Sequence, residues 1–270
     1  MTAYFRAHPD GTFHPSEATR GPWDDRFQHG GPPSALLARA VEHALSDRPG
    51  LAVARLTVEM LRPVPLLPLR VEAAVSAGGS RSVRVDAVLR AAADGTELFR
   101  ARALCLRSVA LAVPAVETGV VAPPPPAHSA PFEFPFFRCA EGYHRSVEIR
   151  MARGTFGAGP VAAWMRLRGP VVAGEAPTPL QRLVALADSG NGVSVVLDLA
   201  RWTFVNPDLT VHLLRMPVGE WICLEATTLP GPGGIGIADT RFHDERGVLG
   251  RGVQTLFIDE RREHPNAMKA

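Results

Sequence analysis

The sequence lacks the features that mark several broad classes of protein. It has three cysteines in 270 residues, Cys105, Cys139 and Cys223, which are widely spaced and form no CxxC pair. An odd, scattered set is typical of buried thiols in a reducing compartment and argues against a disulfide framework. No apolar run approaches the roughly 18 residues that a membrane helix needs, and residues 1–15 show no charged-then-apolar secretion signal. We therefore predict a cytoplasmic protein that does not enter a membrane.

An excess of one charge is also missing. The formal net charge is +2, from 29 basic and 27 acidic residues, and no run of five basic residues occurs. Nucleic-acid surfaces and polybasic membrane patches need concentrated positive charge, so neither a nucleic acid nor a membrane is expected as a partner. The GxSxG motif of serine hydrolases is absent as well, which argues against a serine acyl-enzyme. The remaining composition, 46% hydrophobic and 21% charged, is that of an ordinary globular protein.

Proline, in contrast, is abundant, and its distribution divides the chain. Pro123 to Pro126 are consecutive, and further prolines stand at positions 114, 131 and 135. Such a segment is extended and semi-rigid, as in linkers between domains. We predict an N-terminal unit at 1–112, a linker at 113–135, a C-terminal unit at 136–262 and a tail at 263–270.

The two units repeat one pattern of predicted elements. In the first unit, a helix that follows His29-Gly30-Gly31 precedes predicted strands at 51–62, 68–77, 81–93 and 96–108. In the second unit, strands at 144–152 and 161–169 and a helix at 178–190 precede strands at 202–215, 219–229, 234–244 and 248–259. The segment Leu56-Thr57-Val58 recurs 153 residues later as Leu209-Thr210-Val211. This internal repeat indicates two copies of one structural unit.

Each unit combines one amphipathic helix with a meander of antiparallel strands. The helix carries a single apolar stripe that must be covered, and the meander is the only cover available. A curved antiparallel sheet wrapped around a central helix is the hotdog arrangement. We therefore predict an α+β double hotdog, in which two tandem units set their sheets side by side as a pseudo-dimer. Because exposed sheet edges of such units can pair with further copies, a homo-oligomer is also expected.

The second helix carries a carboxylate where an apolar residue belongs. Its apolar stripe is formed, at i, i+3, i+4 and i+7, by Leu180, Leu183, Val184 and Ala187. Asp188 continues this stripe at i+8, whereas the first helix remains apolar there and its Glu42 is expected to face outward. A carboxylate directed at the core is costly unless it is hydrogen-bonded, paired or used in chemistry. Asp188 is therefore the first candidate site residue.

Two further polar residues distinguish the second copy from the first. Asn206 matches Val53 at the shift of 153 residues, and Gln254 matches Arg102 at a shift of 152 taken from the turn glycines. Gln254 also shares strand parity with Leu256, which predicts that its side chain is buried. The second copy thus places a carboxylate and two amides where the first copy is apolar or differently charged.

Each of these three residues also has a purely structural interpretation. Asp188 fits a cap near the helix end, Asn206 fits a turn before a proline, and Gln254 fits an exposed amide in a strand. Their joint occurrence in one copy and not in the other favours a functional site.

The motifs ADSGN, FVNPDLTVHLLR, PVGEW and GRGVQTLFID fill the second half, and HGGPPSALLARA opens the first helix. Together they resemble the acyl-CoA thioesterase II family, also called TesB-like or double-hotdog thioesterases, over nearly the whole chain. The resemblance implies a thioester hydrolase that converts acyl-CoA to a free acid and CoA. It implies acyl-CoA as the substrate, with no cofactor and no metal ion.

The resemblance also implies roles for individual residues. The family uses an aspartate on the second helix, a hydroxyl or amide residue on the next strand and a glutamine on the last strand, which match Asp188, Asn206 and Gln254. Because the middle residue is often threonine or serine in the family, Thr210 is an alternative to Asn206. The aspartate would take a proton from a water molecule that the two amides hold in line. A backbone N–H at a helix start would polarise the thioester carbonyl, and Gly31 is the candidate.

Two other functions fit parts of the pattern. A hotdog enoyl-CoA hydratase carries an Asp-x-Asn-Pro-x-His motif, but here His212 lies six residues after Asn206 and position 204 is phenylalanine. A non-catalytic acyl-CoA or acyl-carrier binding protein would keep an apolar tunnel without needing Asp188 and Gln254 together. His29, which precedes the glycine pair, is interpreted as a loop residue.

Overall fold

The computed structural model describes residues 2–114 and 119–261. The N-terminal half contains β1 Phe5–Ala7, β2 Phe13–Pro15, α1 Gly31–His43, β3 Leu51–Met60, β4 Leu69–Gly78, β5 Ser82–Ala91 and β6 Glu97–Arg107. The C-terminal half contains β7 Ala130–Phe132, α2 Tyr143–Ser146, β8 Val147–Arg153, β9 Val161–Leu167, α3 Pro179–Ala187, α4 Gly190–Val193, β10 Trp202–Val205, β11 Asp208–Leu213, β12 Ile222–Pro230, β13 Ile235–Asp244 and β14 Gly247–Glu260. No helix within the described ranges is long and apolar enough to cross a membrane.

The named strands form one antiparallel sheet whose order repeats. The first half runs β2-β4-β5-β6-β3, and the second half mirrors it as β11-β14-β13-β12-β9. The halves join where β3 pairs with β11, with Thr57 opposite Thr210, and the Thr210 hydroxyl donates to Thr57 Oγ1 at 3.1 Å. Because these threonines are counterparts in the sequence repeat, a local twofold axis passes between them. The predicted double hotdog is confirmed.

In each half the sheet packs on its own helix. Helix α1 contacts β4, β5 and β6, whereas α3 and α4 contact β9 and strands β11 to β14. Every second residue of β14 from Gly250 to Ile258 is buried, which is the period expected of a strand with one face on the core. This alternation directs Gln254 inward, as its parity with Leu256 predicts.

The two helices also pack against each other, side by side and antiparallel. The start of α1 lies against the end of α3, so closely that a Cβ on Gly31 would overlap the carbonyl oxygen of Ala185. At the other end, Glu42 accepts hydrogen bonds from Thr178 Oγ1 at 2.8 Å and from Gln181 Nε2 at 2.9 Å. The expectation that Glu42 faces outward is therefore wrong, because the antiparallel arrangement places the start of α3 beside it.

Two predicted strands differ from those observed. The strand predicted at 202–215 is broken into β10 and β11 at Asn206-Pro207, because proline has no N–H to donate to a ladder. The counterpart strand β3 is irregular at the same place, with a register shift between Val53 and Arg55. The strand predicted at 144–152 begins only at Val147, after the helical turn α2.

The linker predicted at 113–135 contains a strand of the C-terminal half of the sheet. Strand β7 lies within that range and pairs with β8, with Ala130 opposite Met151. Residues 115–118 of this linker and the tail predicted at 263–270 lie outside the described residues.

Candidate active site

Helix α3 ends so that Asp188 turns into the protein. The helix begins at the cap residue Thr178, whose hydroxyl accepts the N–H of Gln181 at 3.2 Å, and Asp188 is its last, C-capping residue. A second short helix, α4, starts after Ser189, and a Cβ on Gly190 would lie only 2.7 Å from Gln254 Oε1. Glycine at 190 therefore lets α4 approach the sheet closely. As a result Asp188 is 4% exposed.

The structure brings Asp188, Asn206 and Gln254 into one hydrogen-bonded group. Asn206 Nδ2 donates to Asp188 Oδ1 at 2.7 Å. Gln254 Nε2 donates to the Asp188 carbonyl oxygen at 3.1 Å and approaches Oδ1 at 3.4 Å, while its Oε1 accepts the N–H of Asn191 at 3.2 Å. One oxygen of the carboxylate is thus held by amides, and these bonds to an ionised acceptor are stronger than neutral ones.

The three residues differ in their position relative to the cavity. Asp188 and Asn206 line a cavity, whereas Gln254 is 1% exposed and lies behind Asp188. By bonding the backbone on both sides of the α3–α4 break, Gln254 anchors the segment that carries the carboxylate. Thr210, the alternative middle residue, donates to Thr57 at the centre of the sheet and is not among the cavity-lining residues.

The pairing of the strands corrects the counterpart assigned to Gln254. Thr57 pairs with Arg102 and its counterpart Thr210 pairs with Val253, so Arg102 corresponds to Val253. Gln254 therefore corresponds to Ala103, which is completely buried. The predicted match to Arg102 is off by one residue, because the first hairpin is longer than the second and the turn glycines do not share the register of the strands that follow.

A fourth polar residue, His29, belongs to this group, although its interpretation from the sequence was a loop residue. Its Nδ1 lies 3.1 Å from Asp188 Oδ2 and 3.1 Å from the backbone nitrogen of Gly31. Its ring stacks on Tyr143, with centroids 3.8 Å apart and planes 2° apart. Burial lowers the pKa of His29, and the nearby Asp188 offsets part of that effect. The only sequence signal was its position directly before the glycine pair that opens α1.

The glycine pair contributes in two different ways. Gly31 is buried against α3, and its N–H is directed at His29 Nδ1. Gly30 lines the cavity, and a Cβ there would lie 2.9 Å from Asp188 Oδ2 and 3.1 Å from the Met60 side chain. Because Gly30 has no side chain, its backbone fits against Oδ2 without displacing the carboxylate. Gly31 itself, the residue expected to donate to a substrate, is not among the cavity-lining residues.

The cavity beside Asp188 has a volume of about 440 Å³ and a mostly apolar wall. Both halves of the chain contribute to that wall, and its aromatic side chains are those of Trp23, Phe27, Phe99, Phe134, Phe136, Phe137 and Phe204. Among the described residues, no three histidine, cysteine, aspartate or glutamate side chains come together as metal ligands do. A pocket of this size with a few convergent polar groups is the usual form of a small-molecule site.

Sequence comparison supplies two matches that together span most of the chain. A profile described as the acyl-CoA thioesterase N-terminal domain matches residues 19–108, and one described as the acyl-CoA thioesterase C-terminal domain matches residues 118–258. No curated protein matches the sequence.

Several solved structures share the fold. A hot dog fold protein from Alicyclobacillus acidocaldarius has 18% identity and a TM-score of 0.74, covering 95% of this chain and 96% of its own. A putative thioesterase II from Thermobifida fusca has 17% identity and a TM-score of 0.72, with 94% and 95% coverage. The acyl-CoA thioesterase II TesB2 from Mycobacterium marinum has 16% identity and a TM-score of 0.66, with 98% and 97% coverage. At these identities the similarity establishes a common double-hotdog fold along the whole chain.

Proposed function

The chain belongs to the acyl-CoA thioesterase family, and on that premise we propose that it hydrolyses acyl-CoA thioesters with Asp188 as the general base. The observation that carries this proposal is the set of contacts that the two oxygens of the Asp188 carboxylate make. Oδ1 is held by Asn206 and Gln254, while Oδ2 lies beside Gly30 and 3.1 Å from His29 Nδ1, at the wall of an apolar cavity. A buried carboxylate at the wall of an apolar cavity is suitably placed to take a proton from a water molecule bound there.

In the proposed reaction, Asp188 accepts a proton from a water molecule and the resulting hydroxide adds to the thioester carbonyl carbon. The tetrahedral intermediate then expels the CoA thiolate, which recovers the proton, so that one water and one thioester give one acid and one thiol. Asn206 holds the carboxylate in line from the cavity wall, and Gln254 anchors it from behind. A backbone N–H at the start of α1 would stabilise the developing oxyanion. Gly30 lines the cavity, whereas the Gly31 N–H faces His29 Nδ1 and would have to leave that acceptor to serve.

The acyl group of the substrate would occupy the apolar cavity. Its aromatic wall buries hydrocarbon from water, a transfer worth about 0.8 kcal/mol for each methylene. This agrees with hydrolysis of acyl-CoA and gives an expectation for the substrate panel: kcat/KM rises with acyl length until the chain exceeds the available space.

The experiment that tests this function is thiol release from a panel of acyl-CoA substrates of increasing chain length. Wild-type protein is expected to release CoA, and Asp188→Asn, which keeps the size of the side chain but replaces the base with an amide, is expected to lose about 10³-fold in kcat. Circular dichroism of the variant serves as the folding control. A folded Asp188→Asn variant with unchanged turnover would refute the role of the carboxylate.

The same panel separates the alternative functions. Tight binding of acyl-CoA without turnover across all chain lengths would indicate the non-catalytic binding protein, and loss of enoyl-CoA absorbance without thiol release would indicate a hydratase. Cytoplasmic location, independence of cofactors and association into a homo-oligomer stay predictions from the sequence.

A further inference from the structure

One ring nitrogen of His29 faces both a hydrogen-bond donor and a hydrogen-bond acceptor. Its Nδ1 faces the backbone N–H of Gly31, which is a donor, and Asp188 Oδ2, which is an acceptor, each at 3.1 Å. A single ring nitrogen carries either a proton or a lone pair. It therefore donates to Asp188 or accepts from Gly31, but not both.

The bond to the carboxylate is the stronger of the two. With Asp188 ionised, a lone pair on Nδ1 would face Oδ2 directly, whereas a proton on Nδ1 gives a charge-assisted hydrogen bond worth about 1.5–3 kcal/mol. A neutral bond from Gly31 to the ring is worth about 1 kcal/mol. The Nδ1–H tautomer is therefore favoured whenever Asp188 is ionised.

The position of the ring is fixed independently of this proton. The imidazole stacks face to face on Tyr143, and the Tyr143 hydroxyl donates to the Ala185 carbonyl oxygen at 3.0 Å and lies 2.8 Å from Ser189 Oγ. Ala185 and Ser189 flank Asp188 on α3 and at its end. One rigid assembly thus holds both the imidazole and the carboxylate.

We propose that His29 is a positioning residue for Asp188, which holds the base through Oδ2 and, by donating its Nδ1 proton there, frees the Gly31 N–H from its internal acceptor. Oδ1 is then held by the amide of Asn206 and Oδ2 by the imidazole, so the plane of the carboxylate is fixed from both sides. Because Pro32 and Pro33 have no N–H, Gly31 supplies one of the few donors in the first turn of α1.

The charged and titratable surroundings of the imidazole are few. Asp188 faces it from the end of α3 and Tyr143 from α2, and burial raises the pKa of Tyr143, so the phenol stays neutral. Asp24 and Arg62 are the other charged residues on the wall of the same cavity. The neighbours of the carboxylate from β3 and from the β10–β11 break, Met60 and Asn206, are uncharged. His29 is accordingly neutral at pH 7.5, because burial lowers its pKa.

The first test reads the proton directly and needs no substrate. In nitrogen-15 NMR of the full chain at pH 7.5, the His29 ring, assigned by its loss in His29→Asn, is expected to show the Nδ1–H tautomer. In Asp188→Asn the amide oxygen is expected to stay with the Asn206 donor, which places the NH2 group at the position of Oδ2. A donor then faces Nδ1, and the signal is expected to move to the Nε2–H tautomer. An Nε2–H tautomer in wild-type protein would overturn the proposal.

The second test rests on the proposed function. It uses two variants that separate the aromatic ring of His29 from its hydrogen-bond donor. His29→Phe keeps a ring for Tyr143 but removes the donor, whereas His29→Asn loses the ring but places an amide N–H the same number of bonds from Cα. We expect kcat to fall about 30-fold in His29→Phe with KM within threefold, and His29→Asn to recover most of that loss. Equal loss in both variants, or full activity of His29→Phe, would overturn the positioning role.

The two tests fail independently. A chain that hydrolyses no acyl-CoA but shows the Asp188-dependent Nδ1–H tautomer would refute the proposed function and leave the His29–Asp188 bond standing. A chain that hydrolyses acyl-CoA with an Nε2–H tautomer would do the reverse.

Discussion

At each end of the α1–α3 pair, a carboxylate from the end of one helix faces the start of the other. Glu42, near the end of α1, meets Thr178, the cap of α3. Asp188, at the end of α3, lies beside Gly30, the cap of α1. The local twofold axis between Thr57 and Thr210 makes these two ends equivalent in architecture, but they differ in what the cap residue supplies.

At the Glu42 end the capping side chain closes the contact. The Thr178 hydroxyl donates to the carboxylate, and Gln181 one turn later donates to it as well. At the Asp188 end the cap is a glycine, which supplies no side chain to Oδ2, so this oxygen contacts His29 Nδ1 instead and the carboxylate borders the cavity. The same helix-pair geometry therefore gives a hydrogen-bonded bridge at the Glu42 end and a carboxylate at the cavity wall at the Asp188 end, and the two ends differ in their cap residue.

The glycine pair gives the test with the largest expected effect. In Gly31→Ala the new Cβ would overlap the carbonyl oxygen of Ala185, which is backbone and cannot yield, so the helices must separate. We expect a loss of about 3 kcal/mol in the free energy of unfolding, measured by urea denaturation.

The adjacent substitution Gly30→Ser serves as the matched variant. It would place a hydroxyl beside Asp188 Oδ2, as Thr178 does beside Glu42, and the neighbouring atoms belong to the movable side chains of Asp188 and Met60. Stability should change by less than about 1 kcal/mol, while kcat should fall about 10²-fold because the base is covered and displaced. Wild-type activity in folded Gly30→Ser would show that the missing cap side chain at the Asp188 end does not matter for catalysis.

The second prediction concerns the amide that holds Asp188 from the next strand. Asn206→Val copies Val53, its counterpart in the first unit, and removes the donor at 2.7 Å from Oδ1. Loss of one hydrogen bond to a charged group is worth about 1.5–3 kcal/mol, so kcat should fall between about 10-fold and 150-fold in a thiol-release assay. Thr210→Val is the control and should retain activity, because Thr210 contacts Thr57 and does not border the cavity. The opposite ranking would restore Thr210 as the middle residue.

Much of this site could be predicted because it rests on periodic patterns. The helical period directs Asp188 inward, the strand period directs Gln254 inward, and the comparison of the two copies singles out Asn206. All three predictions depend only on residues near in sequence or on the repeat, and the structure brings the three side chains together. The double-hotdog fold follows from the same repeat.

The remaining features depend on how distant elements meet, which no local period encodes. His29 precedes its helix and has no strand or helix phase, so its contact with Asp188 arises only from the antiparallel packing of α1 on α3. Glu42 was expected to face outward for the same reason, since its partner Thr178 is more than a hundred residues away. The counterpart of Gln254 was assigned one residue out of register, because the turns of the two hairpins differ in length.

The smallest effect is expected at the Glu42 end of the helix pair. Burial raises the pKa of Glu42, and the hydrogen bonds from Gln181 and Thr178 offset this only in part. The folded protein therefore keeps this proton to higher pH than the unfolded chain, whose glutamate titrates near 4.5. The contribution of Glu42 to stability is then complete below pH 4.5 and is lost as the pH rises through the folded-state pKa.

Glu42→Gln removes that titration while keeping an oxygen to accept from Thr178 and Gln181. We expect the variant to gain stability relative to wild type as the pH rises from 4.5 to 7.5, by no more than about 1 kcal/mol, with kcat unchanged because the side chain lies at the far end of α1 from Asp188. Urea midpoints across this pH range, with kcat at pH 7.5, measure both quantities. Parallel midpoint curves for the two proteins would mean that burial does not raise the pKa of Glu42. A fall in kcat would mean that the two ends of the helix pair are coupled, and that the bridge at Glu42 helps to set the position of Asp188 across the length of α3.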